Sequence, residues 1–159
     1  MALSQKAAVT YIRNQIAEVT VGGVALSAVY AESETDGNAI PAALEITTTP
    51  AAIVFLGNDL RYLLSDGQQR HTYEVEVWLF CPSGGLDGWA VSVLDFVDAI
   101  REKCVAHVTL GSGASKANYM LYRRQEGPFQ DEYGGIPYHV RHIILEVSEQ
   151  GSATPAAGD

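Results

Sequence analysis

The residues able to carry chemistry in this chain are two thiols, Cys81 and Cys104, four imidazoles, His71, His107, His139 and His142, and a few closely spaced carboxylates. A nucleophilic thiol needs a neighbouring base and a partly exposed, electropositive setting. Cys104 and His107 stand three residues apart at the end of a helical pattern. The apolar stripe of that helix carries Cys104 inward, which suits a buried thiol better than a nucleophile. His139 and His142 have the same spacing on a strand-like segment, where such residues point to opposite faces and cannot share a metal ion. No paired Cys or His ligands occur at the spacings of a zinc site.

Glu74 and Glu76 share one face of a strand, roughly 6–7 Å apart. Two facing carboxylates serve acid–base work in glycoside cleavage, but alternating carboxylates are ordinary on a solvated strand, and Glu74 and Glu76 are read that way. Asp95 and Asp98 on a helix read the same way. Gly84-Gly85 and Gly111-Ser112-Gly113 match neither the P-loop nor the dinucleotide fingerprint and read as turns. The search for a catalytic, metal or cofactor motif comes out empty, so a non-enzyme without cofactor is expected.

The elements that must position these residues follow from periodicity. Ser4 is a plausible N-cap for a first helix, in which Val9, Ile12, Ile16 and Val19 recur at helical spacing, with Gly22-Gly23 as its stop. Val24–Ala31 reads as a strand, Glu32–Asn38 as a polar loop, and Ile40–Thr49 as an extended approach to Pro50. Ala51–Gly57 is a short apolar run, as in a strand covered on both faces. Asn58-Asp59 suggests a turn, Leu60–Leu64 a second short strand, and Ser65-Asp66-Gly67 a hairpin turn.

His71–Phe80 is the clearest strand: Tyr73, Val75, Val77 and Leu79 alternate with Thr72, Glu74, Glu76 and Trp78. A second helix is expected from Asp87 to Cys104, with Trp89, Val93, Phe96, Val97, Ile100 and Cys104 on one stripe. Gly111–Ser115 connects to a strand at Asn118–Glu126, followed by a loop through Phe129, Tyr133 and Gly135. The closing strand, Tyr138–Ser148, shows imperfect alternation, which a bulge or burial on both faces would explain. Glu149–Asp159 reads as a flexible tail after one domain spanning residues 1–148. The expected fold is α+β: a single mostly antiparallel sheet with two main helices packed on it.

At 159 residues, 47% hydrophobic and 18% charged, the chain has the composition of one globular domain. Its net charge of −9 disfavours binding to phosphate backbones. Arg123-Arg124 and Arg141-His142 are the nearest approach to basic clusters, and both sit within strands. Spacing does not decide whether Cys81 and Cys104 pair. Met1–Lys6 lacks the charged region and apolar core of a secretory signal, and no stretch is apolar enough to span a bilayer, so a cytoplasmic origin with no membrane partner is expected.

Two places carry aromatics where a solvated surface would not need them. Trp78 and Phe80 share the otherwise polar face of their strand beside Glu74 and Glu76. That is the composition of a protein interface, or equally of a second core layer. Phe129 and Tyr133 lie in a Gly-bearing segment that suits subunit contact. The candidate interface residues are therefore Phe129, Tyr133, Trp78, Glu74 and Glu76.

The layout as a whole resembles the tail terminator (tail completion) proteins of long-tailed bacteriophages. The resemblance lies in the first helix, the run Pro50–Gly57, the hairpin through Ser65-Asp66-Gly67, the strand Arg70–Trp78 feeding the helix Leu86–Cys104, and the closing strand Tyr138–Val147. It covers most of residues 3–148 and rests on layout, not on a strict signature. It implies a hexameric ring that caps the tail tube, stops its polymerisation and offers a face to the head connector. It further implies a place in the virion neck, with the tube protein, connector proteins and further copies of the chain as partners. DNA would only pass through the acidic lumen without specific binding. Another neck or head–tail joining protein, a tube subunit, and a small hydrolase or ligand-binding domain are the competing readings.

Overall fold

The computed structural model describes residues 5–32, 50–65, 67–82, 93–106, 119–133 and 135–152. Helix α1 (Gln5–Ala17) is followed by the short strands β1 (Thr20–Val21), β2 (Val24–Ala25) and β3 (Ala28–Ala31). Two long strands come next, β4 (Ala51–Ser65) and β5 (Gln68–Pro82), then helix α2 (Val93–Ala106) and the strands β6 (Tyr119–Tyr133) and β7 (Ile136–Ser152). The main sheet has the order β3-β4-β5-β7-β6, and β1 pairs with β2 in a separate ribbon. Every pairing in the main sheet is antiparallel except β3 with β4. The fold is thus the expected α+β arrangement.

Both helices form because their apolar residues recur on one stripe that must leave water. Val9, Ile12 and Ile16 of α1 are buried, as are Phe96, Val97, Ile100 and Cys104 of α2. They share a cluster with Ala52, Val54, Val75, Val77, Leu79, Ile143, Leu145 and Val147, the residues of β4, β5 and β7 on one face of the sheet. Polar contacts fix the helices on that face. Arg13 Nε donates to Val29 O at 3.2 Å, and Lys103 Nζ lies 2.7 Å from Glu18 Oε2. Helix α1 ends in a tightened turn, with Glu18 N–H and Val19 N–H donating to Gln15 O and Ile16 O.

The opposite face holds a second cluster, with Ala51, Ile53, Phe55, Phe80, Tyr138 and Val140 all buried. Two-sided burial therefore accounts for the uneven alternation of β7: Val140 and Ile144 are buried on this face, and Ile143, Leu145 and Val147 on the helical one.

Several boundaries differ from expectation. Asn58-Asp59 does not turn the chain: β4 is continuous, and register shifts between Leu56 and Asp59 and between Asp59 and Arg61 absorb the irregularity as a bulge. The Phe129–Gly135 segment is not a loop. β6 runs to Tyr133, with a register shift between Glu126 and Phe129 that takes in Gly127-Pro128. Gly22-Gly23 turns β1 into β2 and does not stop α1, which ends at Ala17. The expected strand Val24–Ala31 is interrupted at Leu26-Ser27, and Glu149–Ser152, expected in the tail, extend β7. Gly67 turns β4 into β5 with φ 77°, as expected. Ser4, residues 33–49, Asp87, Trp89 and the Gly111–Ser115 connection lie outside the described residues.

Phe96 is fully buried between α2 and the sheet. Phe96→Ala is expected to lower unfolding free energy by about 3–5 kcal/mol, through lost transfer energy and the cavity left behind. Urea denaturation followed by circular dichroism measures it, and a loss near zero would mean that α2 does not hold the core.

Candidate functional site

The register of β5 with β7 decides which candidate residues meet. Glu74 faces Glu146, Glu76 faces Ile144 and Trp78 faces His142, all on the sheet face away from the helices. The pairing of β6 with β7 adds Arg124 opposite Ile144, Glu126 opposite His142 and Phe129 opposite Val140 on that same face. Four of the five candidates, Glu74, Glu76, Trp78 and Phe129, thus lie on one face of the sheet, with Trp78 and Phe129 meeting at His142. Tyr133 is the last residue of β6, and its side chain lies outside the described structure.

The aromatic part is a continuous stack. Trp78 lies flat on His142, with ring centroids 4.0 Å apart and planes 5° apart. Phe129 covers the imidazole at 4.6 Å, and Phe55 meets Trp78 edge-on at 5.0 Å. Phe80 is fully buried and Trp78 partly so, which makes this pair chiefly a second core layer. Phe129, at 39% exposure, is the member open to solvent. Trp78 Nε1 and His142 Nε2 are both buried and have no hydrogen-bond partner among the described residues. Burial pushes the His142 imidazole below its usual pKa, and the carboxylates of Glu126 and Asp131 pull it partly back.

The carboxylates occupy the adjoining part of the face. Glu74 is buried, and Arg124 reaches it with Nη1 at 3.5 Å while holding Glu126 more closely through Nε at 2.8 Å. Arg123 Nε lies 3.4 Å from Glu146. Burial pushes the Glu76 carboxyl above the usual range, and Glu74 and Glu126 add repulsion. The Trp78 indole N–H lacks hydrogen-bond geometry to Glu76 but still offsets part of this, as does Arg124. Gly57 makes the crowding possible: a Cβ there would sit 3.1 Å from Glu74 Cβ and 3.3 Å from Glu76 Cγ. The two glutamates are therefore covered by the β4 backbone at its bulge, and a sugar would have to displace that strand to lie between them.

The remaining candidates for chemistry are dispersed. His139 faces Cys81 in register while His142 faces Trp78, so the two histidines lie on opposite faces. Cys81 and Cys104 are free, buried thiols, each pushed up to about 12 by burial. His107 lies outside the described residues. Among the described residues no group of three or more His, Cys, Asp or Glu side chains is placed to hold a metal ion, and no helix is long and apolar enough to cross a membrane.

A second surface, not singled out by the sequence, lies at the far end of the β4–β5 hairpin. Leu60, Tyr62, Leu63 and Leu64 are all exposed there, Leu64 by 66%. Tyr62 OH bonds Gln69, and His71 Nε2 contacts Asp59 Oδ1 at 2.9 Å, so the end is ordered by polar contacts while its apolar side chains face water. An open depression of about 210 Å³ beside it is lined by Leu63, Gln68, Gln69, Arg70 and Gln150. The signal was present, because four of the five residues Leu60–Leu64 are large and apolar. Such a short apolar run reads equally as a buried strand.

No protein-family model matches the chain, and no curated protein matches it.

Two outcomes test this geometry. Neither thiol is expected to react with a chromogenic disulfide reagent at pH 8 until the protein is unfolded, when both react; fast reaction of the native protein would contradict the burial. Glu76→Gln is expected to raise the urea midpoint at neutral pH. A carboxyl whose folded pKa lies above its unfolded one contributes its stability fully only below the unfolded value of about 4.3, and loses it as pH rises through the folded value. The gain from Gln should therefore vanish near about pH 4. A gain that persists there would assign the effect to packing.

Proposed function

We propose that this chain is a structural assembly protein of a bacteriophage neck: a tail terminator that forms a hexameric ring on the end of the tail tube, stops tube growth and presents a docking face to the head connector. The observation that carries the reading is the ordered end of the β4–β5 hairpin, where four large apolar side chains stand in water. Lone globular domains seldom gather such side chains at one place, and assembling subunits do.

The layout adds support. An N-terminal helix, an apolar strand after Pro50, a hairpin at Gly67, a long strand, a second helix and a closing strand occur in the order on which the resemblance to tail terminators rests. The crowded, strand-covered glutamate pair favours a structural role for Glu74 and Glu76 over glycoside cleavage. The net charge of −9 suits a subunit past which DNA slides without sticking.

The test is light scattering with size-exclusion chromatography, alone and after mixing with preassembled tail tubes of the same virus, followed by electron microscopy. The expected result is rings, or density on one tube end that blocks further growth. Long tubes from this chain alone would make it a tube subunit. A monomer that ignores tubes would remove the reading and return attention to ligand binding.

A further inference from the structure

The two ends of the main sheet differ in chemistry. At the β4–β5 end stand the exposed Leu60, Tyr62, Leu63 and Leu64, together with Arg61, which has no ion-pair partner among the described residues. Pairing of Gln68 with Ser152 puts the C-terminal end of β7 there, so the β6–β7 turn lies at the opposite end of the sheet. That opposite end carries exposed Phe129 and Pro137, the acids Asp131 and Glu132, and no Lys or Arg between Glu126 and Val140. Glu132 is exposed and forms no ion pair among the described residues.

The backbone adds a second complementarity. β3 pairs with β4 only through Val54, and the Leu56 N–H beyond it is taken by Glu32 Oε2 at 2.9 Å. From Asp59 to Ser65 the outer side of β4 has no strand partner among the described residues. The same is true of the outer side of β6, on the other edge of the sheet. Each end of the molecule thus combines exposed apolar side chains with a strand edge that no described strand covers, and Arg61 at one end and Glu132 at the other are exposed charges of opposite sign.

We infer that copies of this chain join head to tail, the β4–β5 end of one seating Leu60, Tyr62 and Leu64 against the β6–β7 end of the next, with Arg61 paired to Glu132. A contact between two β4–β5 ends fits poorly, since the exposed carboxylate there among the described residues, Asp59, is already engaged by His71 and leaves Arg61 without a partner. A contact between unlike surfaces leaves one of each free on every growing assembly, so it closes into a ring or continues as a filament. The inference rests on reading the chain as an assembly subunit, and it names the surfaces that assemble.

Two variants of the full chain test it. The first carries Leu60→Ser, Tyr62→Ser and Leu64→Ser, all at exposed positions. The second carries Phe129→Ser and Glu132→Arg, with Glu132→Arg alone as a control, because Phe129 also packs on His142. Light scattering is expected to show a large assembly for the unaltered chain and a monomer for each variant. An equal mixture of the two should give a one-to-one dimer that grows no further, because each copy retains one working surface. Glu132→Arg alone should weaken association by roughly tenfold or more, and adding Arg61→Glu to the same chain should restore it. An unaltered chain that stays monomeric at the highest concentration reached, a folded variant that keeps its assembly, or a mixture that stays monomeric would each overturn the inference. Assembly through these surfaces without any binding to tail tubes would leave it standing and remove the terminator reading instead.

Discussion

The structure depends on the pairing of β5 with β7. It runs from Gln68↔Ser152 to Pro82↔Tyr138 without a register shift, at the centre of the sheet. Because side chains alternate, a slip of one residue would send Val75, Val77 and Leu79 to the wrong face and bring Glu74, Glu76 and Trp78 beneath the helices. Burial on both faces penalises that slip twice, since each face has its own apolar cluster. The central pair therefore behaves as a fixed ruler against which the outer strands are measured. Those outer strands carry the irregularities: β4 shifts register near Asp59, and β6 shifts at Tyr122/Arg124 and at Glu126/Phe129.

What was legible in the sequence follows from that division. The alternation of Tyr73, Val75, Val77 and Leu79 located β5, and the stripes of Ile12/Ile16 and Phe96/Ile100 located both helices, because each has one apolar partner surface. The outer strands were harder to read. Asn58-Asp59 are turn formers, but a bulge uses the same backbone preferences, and only pairing with Tyr73 on β5 tells the two apart. Gly127-Pro128 looked like the start of a loop. On an edge strand the missing proline N–H interrupts no ladder, so β6 passes through it. The closing strand continued past Ser148 because Glu149 accepts from the buried Tyr73 hydroxyl at 2.7 Å, a contact between residues far apart in sequence.

The candidate surface divides in the same way. Side-by-side placement of Glu74, Glu76 and Trp78 follows from strand period alone. The stacking of Trp78 on His142 needs the β5–β7 register, and the covering of the glutamates needs Gly57 on a third strand. Chemistry-bearing residues that looked like a site are in large part packing. Meanwhile the surface most unlike a solvated one, at Leu60–Leu64, is made of residues that looked like core. Polarity in the sequence indicates which side chains tolerate water, but where the sheet outruns its covering helices is a matter of element length.

The bulges have one more consequence. Adjacent strands in a sheet are rotated by roughly 20–25°, and bulges increase that twist locally. Across the four strand-to-strand steps from β3 to β6, the outermost strands are therefore swung through roughly 80–100° relative to each other. The outer edges of β4 and of β6 do not lie in one plane. A strand added to either edge inherits a direction set by the whole sheet, so successive molecules joined edge to edge turn about an axis instead of extending a flat ribbon. The handedness of the L-amino acid, summed over five strands, thereby sets the direction in which such a series winds, whether it closes or climbs.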